Sequence, residues 1–194
     1  MQNTPNAPGE SSKRFVPQTQ RGGLQNIRNL ILLGALLAAG IVLKAVNPVN
    51  VSGMKPNFVI AMYCLSIMLI EPTLAEGLII GLLAGVICQF FPGTLYINIV
   101  SEAIGAGVMV LLMRLPMKVK GFDLHPIAAT FLSTLCSGFS FIAALNVILF
   151  AGADVNAVAL GAFLSIIFGT AAINAVIVQA LAVPLRLALN ARKG

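Results

Sequence analysis

The sequence predicts an all-α, polytopic membrane protein: one bundle of six transmembrane helices with both termini in the cytoplasm. Three observations carry that reading. Of the 194 residues, 58% are hydrophobic and only 9% are charged, against about 25% charged in an ordinary soluble domain. Long apolar runs alternate with short polar turns rich in Pro, Gly and Asn, and a helical span needs about 20 apolar residues. With the amino terminus inside, every Lys and Arg except Lys44 and Lys55 falls on the cytoplasmic side. That bias obeys the positive-inside rule. It also accounts for the net charge of +6 without nucleic acid, because the basic residues lie between spans and not along one face.

Residues 1–25 form a polar tail without apolar periodicity, expected to be flexible. The first apolar run starts too late and is too long for a cleavable signal. Residues 26–194 form the membrane domain. The first span, 26–46, is packed with small residues. Gly34 and Ala38, and Ala35 and Ala39, stand four apart on one face, where another helix can approach closely. That helix is either a neighbour in the bundle or a partner subunit.

Residues 47–58 read Asn-Pro-Val-Asn-Val-Ser-Gly-Met-Lys-Pro-Asn-Phe, a shaped turn and not a continued helix. Lys55, between Met54 and Pro56, is either a solvated loop charge or a cation for a small anionic group. The apolar run 58–70 is short for a crossing and stops at Glu71-Pro72. It either crosses or forms half of a re-entrant hairpin, with the later parity unchanged. Thr73 and Glu76 make a capping-box pattern that opens the third span, 74–91. After the turn at 91–94, the fourth span, 97–115, carries Glu102 inside it. A carboxylate there is a functional candidate, or else an interfacial or protonated residue.

The connector 114–125 is basic, with Lys118 and Lys120, and ends at His125, an interfacial residue ahead of Pro126 in the first turn of the fifth span. That span, 127–150, presents Ser133, Ser137, Ser140 and Ala144 on one face, for packing or as a cavity wall ending near Asn146. A turn at 152–156 leads to the last run, 157–189, longer than one crossing needs and free to tilt or project. Asn174 lies near its middle and must find a hydrogen-bond partner there. Cys64, Cys88 and Cys136 are scattered singly and read as packing residues, not as a disulfide or metal site. Trp is absent, which leaves Tyr63, Tyr96, Phe and basic residues to anchor the interfaces.

In this orientation Lys55, Asn57, Asn98, Glu102, Asn146 and Asp154 converge on the outer half of the bundle, a cup open to the outside. Lys55 offers a cation for a carboxylate and Glu102 an anion for an ammonium group. The asparagines supply donors and acceptors, while Phe58 and Tyr96 can cover an apolar side chain. A zwitterionic, hydrophobic metabolite suits this set. The chain has no phosphate-binding Gly-rich loop with Lys and Ser/Thr, no His-Glu-x-x-His site and no nucleophile elbow. An enzyme is not expected, and no cofactor or metal is implied.

The six-span size, the Ala-rich first helix and the run Gly53-Met54-Lys55-Pro56-Asn57-Phe58 resemble the substrate-binding S components of energy-coupling-factor transporters. Within them the chain is most similar to the tryptophan-transporter group, over residues 27–190. That group has Gly-Met-Lys-Pro-Asp after its first helix, Phe-Pro-Gly-Gly before a Pro-Asn-Ile stretch, and Ala-Leu-Asn in its last helix. Here the matching residues are Phe91-Pro92-Gly93-Thr94, Ile97-Asn98-Ile99 and Ala172-Ile173-Asn174. Asn57 stands in place of Asp, Thr94 of Gly and Ile97 of Pro, and Ser101-Glu102 replaces an Asp-Lys pair.

The resemblance implies a prokaryotic cell-membrane subunit that captures its solute from outside. A transmembrane T component and two cytoplasmic ATPases then drive release inward by toppling the subunit in the bilayer. Gly34, Ala35, Ala38 and Ala39 match the docking face used against the T component. The implied solute site contains Met54, Lys55, Asn57, Phe58, Tyr96, Asn98, Glu102, Asn146 and Asn174. Tryptophan is the implied solute, with a vitamin or other micronutrient as the alternative within the class. A self-sufficient ion-coupled carrier and a non-transporting assembly protein are the alternatives outside it.

Overall fold

The computed structural model describes residues 23–48, 55–91, 96–116, 118–119, 122–150 and 160–191. Most of the expected polar tail, Met54 and Asp154 lie outside the described residues. Six α-helices make up the described fold: α1 Ile27–Val46, α2 Val59–Ile70, α3 Leu74–Cys88, α4 Ile97–Met113, α5 Thr130–Phe150 and α6 Leu160–Ala191. A two-stranded antiparallel hairpin, β1 Lys118–Val119 and β2 Phe122–Asp123, and a π-helical turn at His125–Ala129 join α4 to α5.

Local chemistry sets the helix ends. Asn26 caps α1 by accepting the Arg28 N–H at 2.9 Å, which supplies a partner for one of the orphan donors at a helix start. Glu71 closes α2 in the left-handed region at φ 51°, and Pro72 after it cannot continue the helix. The expected capping box opens α3. Thr73 Oγ1 accepts the Glu76 N–H at 3.3 Å while Glu76 Oε2 accepts the Thr73 N–H at 2.8 Å. The second Glu76 oxygen accepts the Leu24 N–H at 2.8 Å, tying the segment before α1 to α3.

The six helices expected from the sequence to cross a membrane are unequal in length. Long, apolar helices run over Ile27–Val46, His125–Ile148 and Gly161–Ala191, at 20, 24 and 31 residues. By contrast α2, α3 and α4 have 12, 15 and 17 residues, or about 18–26 Å at the helical rise. Pro56 and Pro72 bracket α2, and α3 stops three residues short of the predicted Phe91, ahead of Pro92.

The short α2 is the axis of the bundle. Every residue in it except Leu69 is buried, as its apolar character all round demands. It packs against α1, α3, α4, α5 and α6. On α3, Gly77, Gly81 and Gly85 face α4. A Cβ at Gly81 would lie 2.5 Å from the Glu102 carbonyl oxygen, and one at Gly85 2.5 Å from Ile99 Cα. The two backbones therefore touch through glycine, the close approach that small residues permit between membrane helices. The bundle has an upper end, where α1 and α3 finish and α2 and α4 begin, and a lower end opposite it.

Candidate functional site

Just below the upper end, five segments bring polar side chains to one buried point. Asn57, in the extended residues before α2, donates from Nδ2 to Glu102 Oε1 on α4 at 2.6 Å. Ser137 of α5 donates to the other carboxylate oxygen, Oε2, at 3.1 Å. Asn174 of α6 donates from Nδ2 to the Asn57 carbonyl at 3.2 Å and to Thr134 Oγ1 at 3.4 Å. Cys88, the last residue of α3, has its sulfur 3.5 Å from Asn57 Nδ2. Glu102 is 2% exposed and Asn174 fully buried.

A carboxylate so placed is expensive in an apolar bundle unless partnered. Two hydrogen bonds and one cation serve Glu102. The cation is Lys44, near the upper end of α1 and only 6% exposed. Its Nζ lies 4.9 Å from the centroid of the Phe91 ring, and its charge acts on both Glu102 and Cys88. A second layer lies deeper. Ser133 donates to the Gly105 carbonyl at 2.8 Å, and the Cys64 thiol donates to Ser133 Oγ at 3.4 Å. A Cβ at Gly105 would come 2.5 Å from the Tyr63 hydroxyl, so only glycine leaves room for that buried phenol.

Not every polar atom here is matched. Asn174 Oδ1 and the Tyr63 hydroxyl are buried without a hydrogen-bond partner among the described residues. Each unmade bond of this kind costs about 1–3 kcal/mol. The cluster therefore holds one buried carboxylate, one buried ammonium and an unused acceptor, with aromatic rings at hand.

Asn57, Glu102 and Asn174, singled out from the sequence, do come together. Phe58 is half-buried beside Asn57, whereas Lys55 is exposed. Tyr96 is 81% exposed. Asn98 is half-buried and its carbonyl accepts from Ser101 at 3.4 Å. Asn146 is exposed and donates to its own helix at Ile142. Tyr63 is not an interfacial anchor but a core residue, and Cys88 is more than packing. Gly34, Ala35, Ala38 and Ala39 are all exposed on the surface of α1, and a Cβ at Gly34 would meet nothing within 4 Å.

Lys44 and Thr134 join the site without any mark in the sequence motifs, and Ser137 enters it as more than one member of a small-residue stripe. For Lys44 a signal exists. The buried stripe of α1 runs Leu33, Leu36, Leu37, Gly40, Lys44, so the lysine continues the three-and-four spacing of the core face.

The lower end carries a second ionic group. Asp123 Oδ2 accepts from Arg186 Nη1 at 2.9 Å, and Asp123 Oδ1 lies 2.6 Å from His125 Nδ1. The other ring nitrogen of His125 is 2.7 Å from the Leu115 carbonyl. His125 is thus a buried tie between α4 and α5 where an interfacial residue was expected. Burial pushes the Asp123 carboxyl up, but hydrogen bonds from Arg186 and His125 outweigh it and hold it down at about 2. A cleft of about 220 Å³ opens near this end between α2 and α4, lined by Ile67, Glu71, Pro72, Val110, Met113 and Arg114. It shares no residue with the upper cluster.

Comparison with known proteins gives this arrangement a context. The sequence profile of the family described as "Tryptophan transporter TrpP" matches residues 26–188. A protein of Clostridium acetobutylicum described as "Probable tryptophan transport protein" is 30% identical over 156 residues, covering 78% of this chain and 88% of that one. No solved structure matches.

Proposed function

This chain belongs to the tryptophan transporter family TrpP, and we propose that it is the solute-capturing membrane subunit of an energy-coupling-factor uptake system. Its solute is tryptophan or a similar small, zwitterionic, aromatic metabolite. Six crossings leave both termini in the cytoplasm, so the upper end faces outward and the lower end inward. The observation that carries this reading is the convergence of Asn57 and Ser137 on the buried Glu102, with Asn174 bonded in turn to the Asn57 carbonyl. A buried carboxylate with lone pairs to spare is a natural receiver for an α-ammonium group. Phe58 and the rim residues Lys55, Tyr96, Asn98 and Asn146 complete the mouth; Met54, also expected there from the sequence, lies outside the described residues.

Binding at such a site does not by itself move solute inward. A T component and two cytoplasmic ATPases supply that work, docking on the small-residue face of α1 at Gly34, Ala35, Ala38 and Ala39. The family to which it belongs is a transporter family and not an enzyme family.

Thermal stabilisation of the purified protein across amino acids and water-soluble vitamins tests the solute. Saturable stabilisation by tryptophan is expected, because a ligand that binds only the folded state raises apparent stability. Stabilisation by a vitamin alone would discard tryptophan. Ala38→Leu should leave that stabilisation intact and remove the ATPases from the purified complex; their normal recovery would refute the docking face. Uptake that persists without ATPases and collapses with an ion gradient would favour a self-sufficient carrier.

A further inference from the structure

The ammonium group of Lys44 is in an unusual place. Lysines near the ends of membrane helices ordinarily extend to the interface, since the flexible stem lets the charge reach water. Lys44 stands two residues before the end of α1 at Val46, so water is close. Yet its side chain is turned inward, 6% exposed, over the ring of Phe91.

Its partners there, a ring face and the Cys88 thiol, are inadequate. The ion pairs among the described residues belong to Asp123, and none of them includes Lys44. An aromatic face returns only part of what desolvating an ammonium costs. Glu102, the buried carboxylate of the same cluster, forms no ion pair with it. Two opposite charges are buried and held apart, and Asn174, joined to Glu102 through Asn57, keeps its Oδ1 unpartnered among the described residues.

We propose that Lys44 binds the carboxylate of the captured solute and that Phe91 is its resting partner, released on binding to wall the solute's aromatic side chain. This rests on the solute-capturing reading and specifies its substrate class: an aromatic α-amino acid bound as the zwitterion. The ammonium end goes to Glu102, whose two oxygens each accept one side-chain hydrogen bond and have capacity left, and to Asn174 Oδ1. The carboxylate end exchanges a ring face on Lys44 for a charge-assisted hydrogen bond. The freed Phe91 ring then offers an edge or offset face to the side chain. Lys55, exposed at the mouth, does not take this part.

The experiment compares tryptophan with tryptamine, which keeps the indole and the ammonium but lacks the carboxylate. Equilibrium binding is measured on purified wild type, Lys44→Met, Lys44→Gln, Lys55→Met and Phe91→Leu, with the ligand-free melting temperature as a check on folding. The wild type should prefer tryptophan. Lys44→Met and Lys44→Gln should weaken tryptophan roughly 10- to 100-fold and leave tryptamine unchanged, so the preference collapses. Phe91→Leu should weaken both ligands alike. If either Lys44 variant folds and still discriminates as the wild type does, the assignment is overturned. It is also overturned if discrimination is lost in Lys55→Met and kept in the Lys44 variants. A wild-type protein that binds no aromatic amino acid refutes the uptake reading itself.

Discussion

The two ionic groups of this bundle are built from the same chemistry and arranged in opposite ways. At the lower end Asp123 touches both of its partners, Arg186 at 2.9 Å and His125 at 2.6 Å. At the upper end Lys44 and Glu102 are far more deeply buried and form no ion pair. The Asp123 and Arg186 side chains are 31% and 39% exposed, so forming their pair sacrifices little hydration and gains little, typically below about 1 kcal/mol. Its role is geometric: it fastens β2 to α6. The upper charges lose most of their hydration and recover only part of it. Under the proposed capture role the closed pair at the lower end is structural, and the separated, buried charges at the upper end are held for the solute.

Glu102→Gln removes the buried charge of the upper cluster while keeping the shape of the side chain. Tryptophan affinity should fall about 10- to 100-fold, the worth of a hydrogen bond to a charged group. Ligand-free stability should change much less, because a buried charge and its desolvation leave together. Titration calorimetry beside a ligand-free melt separates the two effects, and unchanged affinity would remove Glu102 from the site. The converse change is Asp123→Asn. It should lower stability by about 1 kcal/mol at neutral pH after allowance for solvent screening, with tryptophan affinity within about twofold of wild type. A large loss of binding would show that the two ends are coupled.

The smallest effect is in the pH profile. Asp123 is held at about 2 in the folded protein, below the roughly 3.9 of an unfolded chain. Its contribution is therefore complete above about pH 4–5 and is lost as the pH falls toward 2. The melting temperature of wild type minus that of Asp123→Asn should be flat above that window and shrink within it. A difference that persists at pH 2 would contradict the ion-pair account.

A second pair of regions shows how far small residues can be read. On α1, Gly34 stands out in the sequence among Ala35, Ala38 and Ala39, and nothing in the bundle covers it. On α3, Gly77, Gly81 and Gly85 have the same four-residue spacing, and α4 covers them. Spacing makes both faces approachable and does not say which is filled. Glu102 and Asn174 were legible because a polar group in an apolar span needs a partner wherever it lies. Lys44 was not, because a lysine near a helix end has a ready route to water, and only the rotation of α1 denies it that route. Tyr63 was obscure for a similar reason: its place depends on the space left by Gly105, across from it on α4.

By itself the sequence determined the all-helical membrane class, the family resemblance and most helix ends. These follow from composition and from local signals such as the Thr73–Glu76 box and the Pro72 stop, each acting within a few residues. Tertiary structure decided which faces turn inward: Lys44 over Phe91, Asn57 onto Glu102 across 45 residues, Arg186 onto Asp123 across 63. The physical reason lies in the helices themselves. When nearly every side of a helix is apolar, hydrophobicity gives it no preferred rotation, and in lipid apolar burial adds no drive. Rotation is then set by steric fit and by the few polar groups that must meet, and those are properties of the assembled bundle.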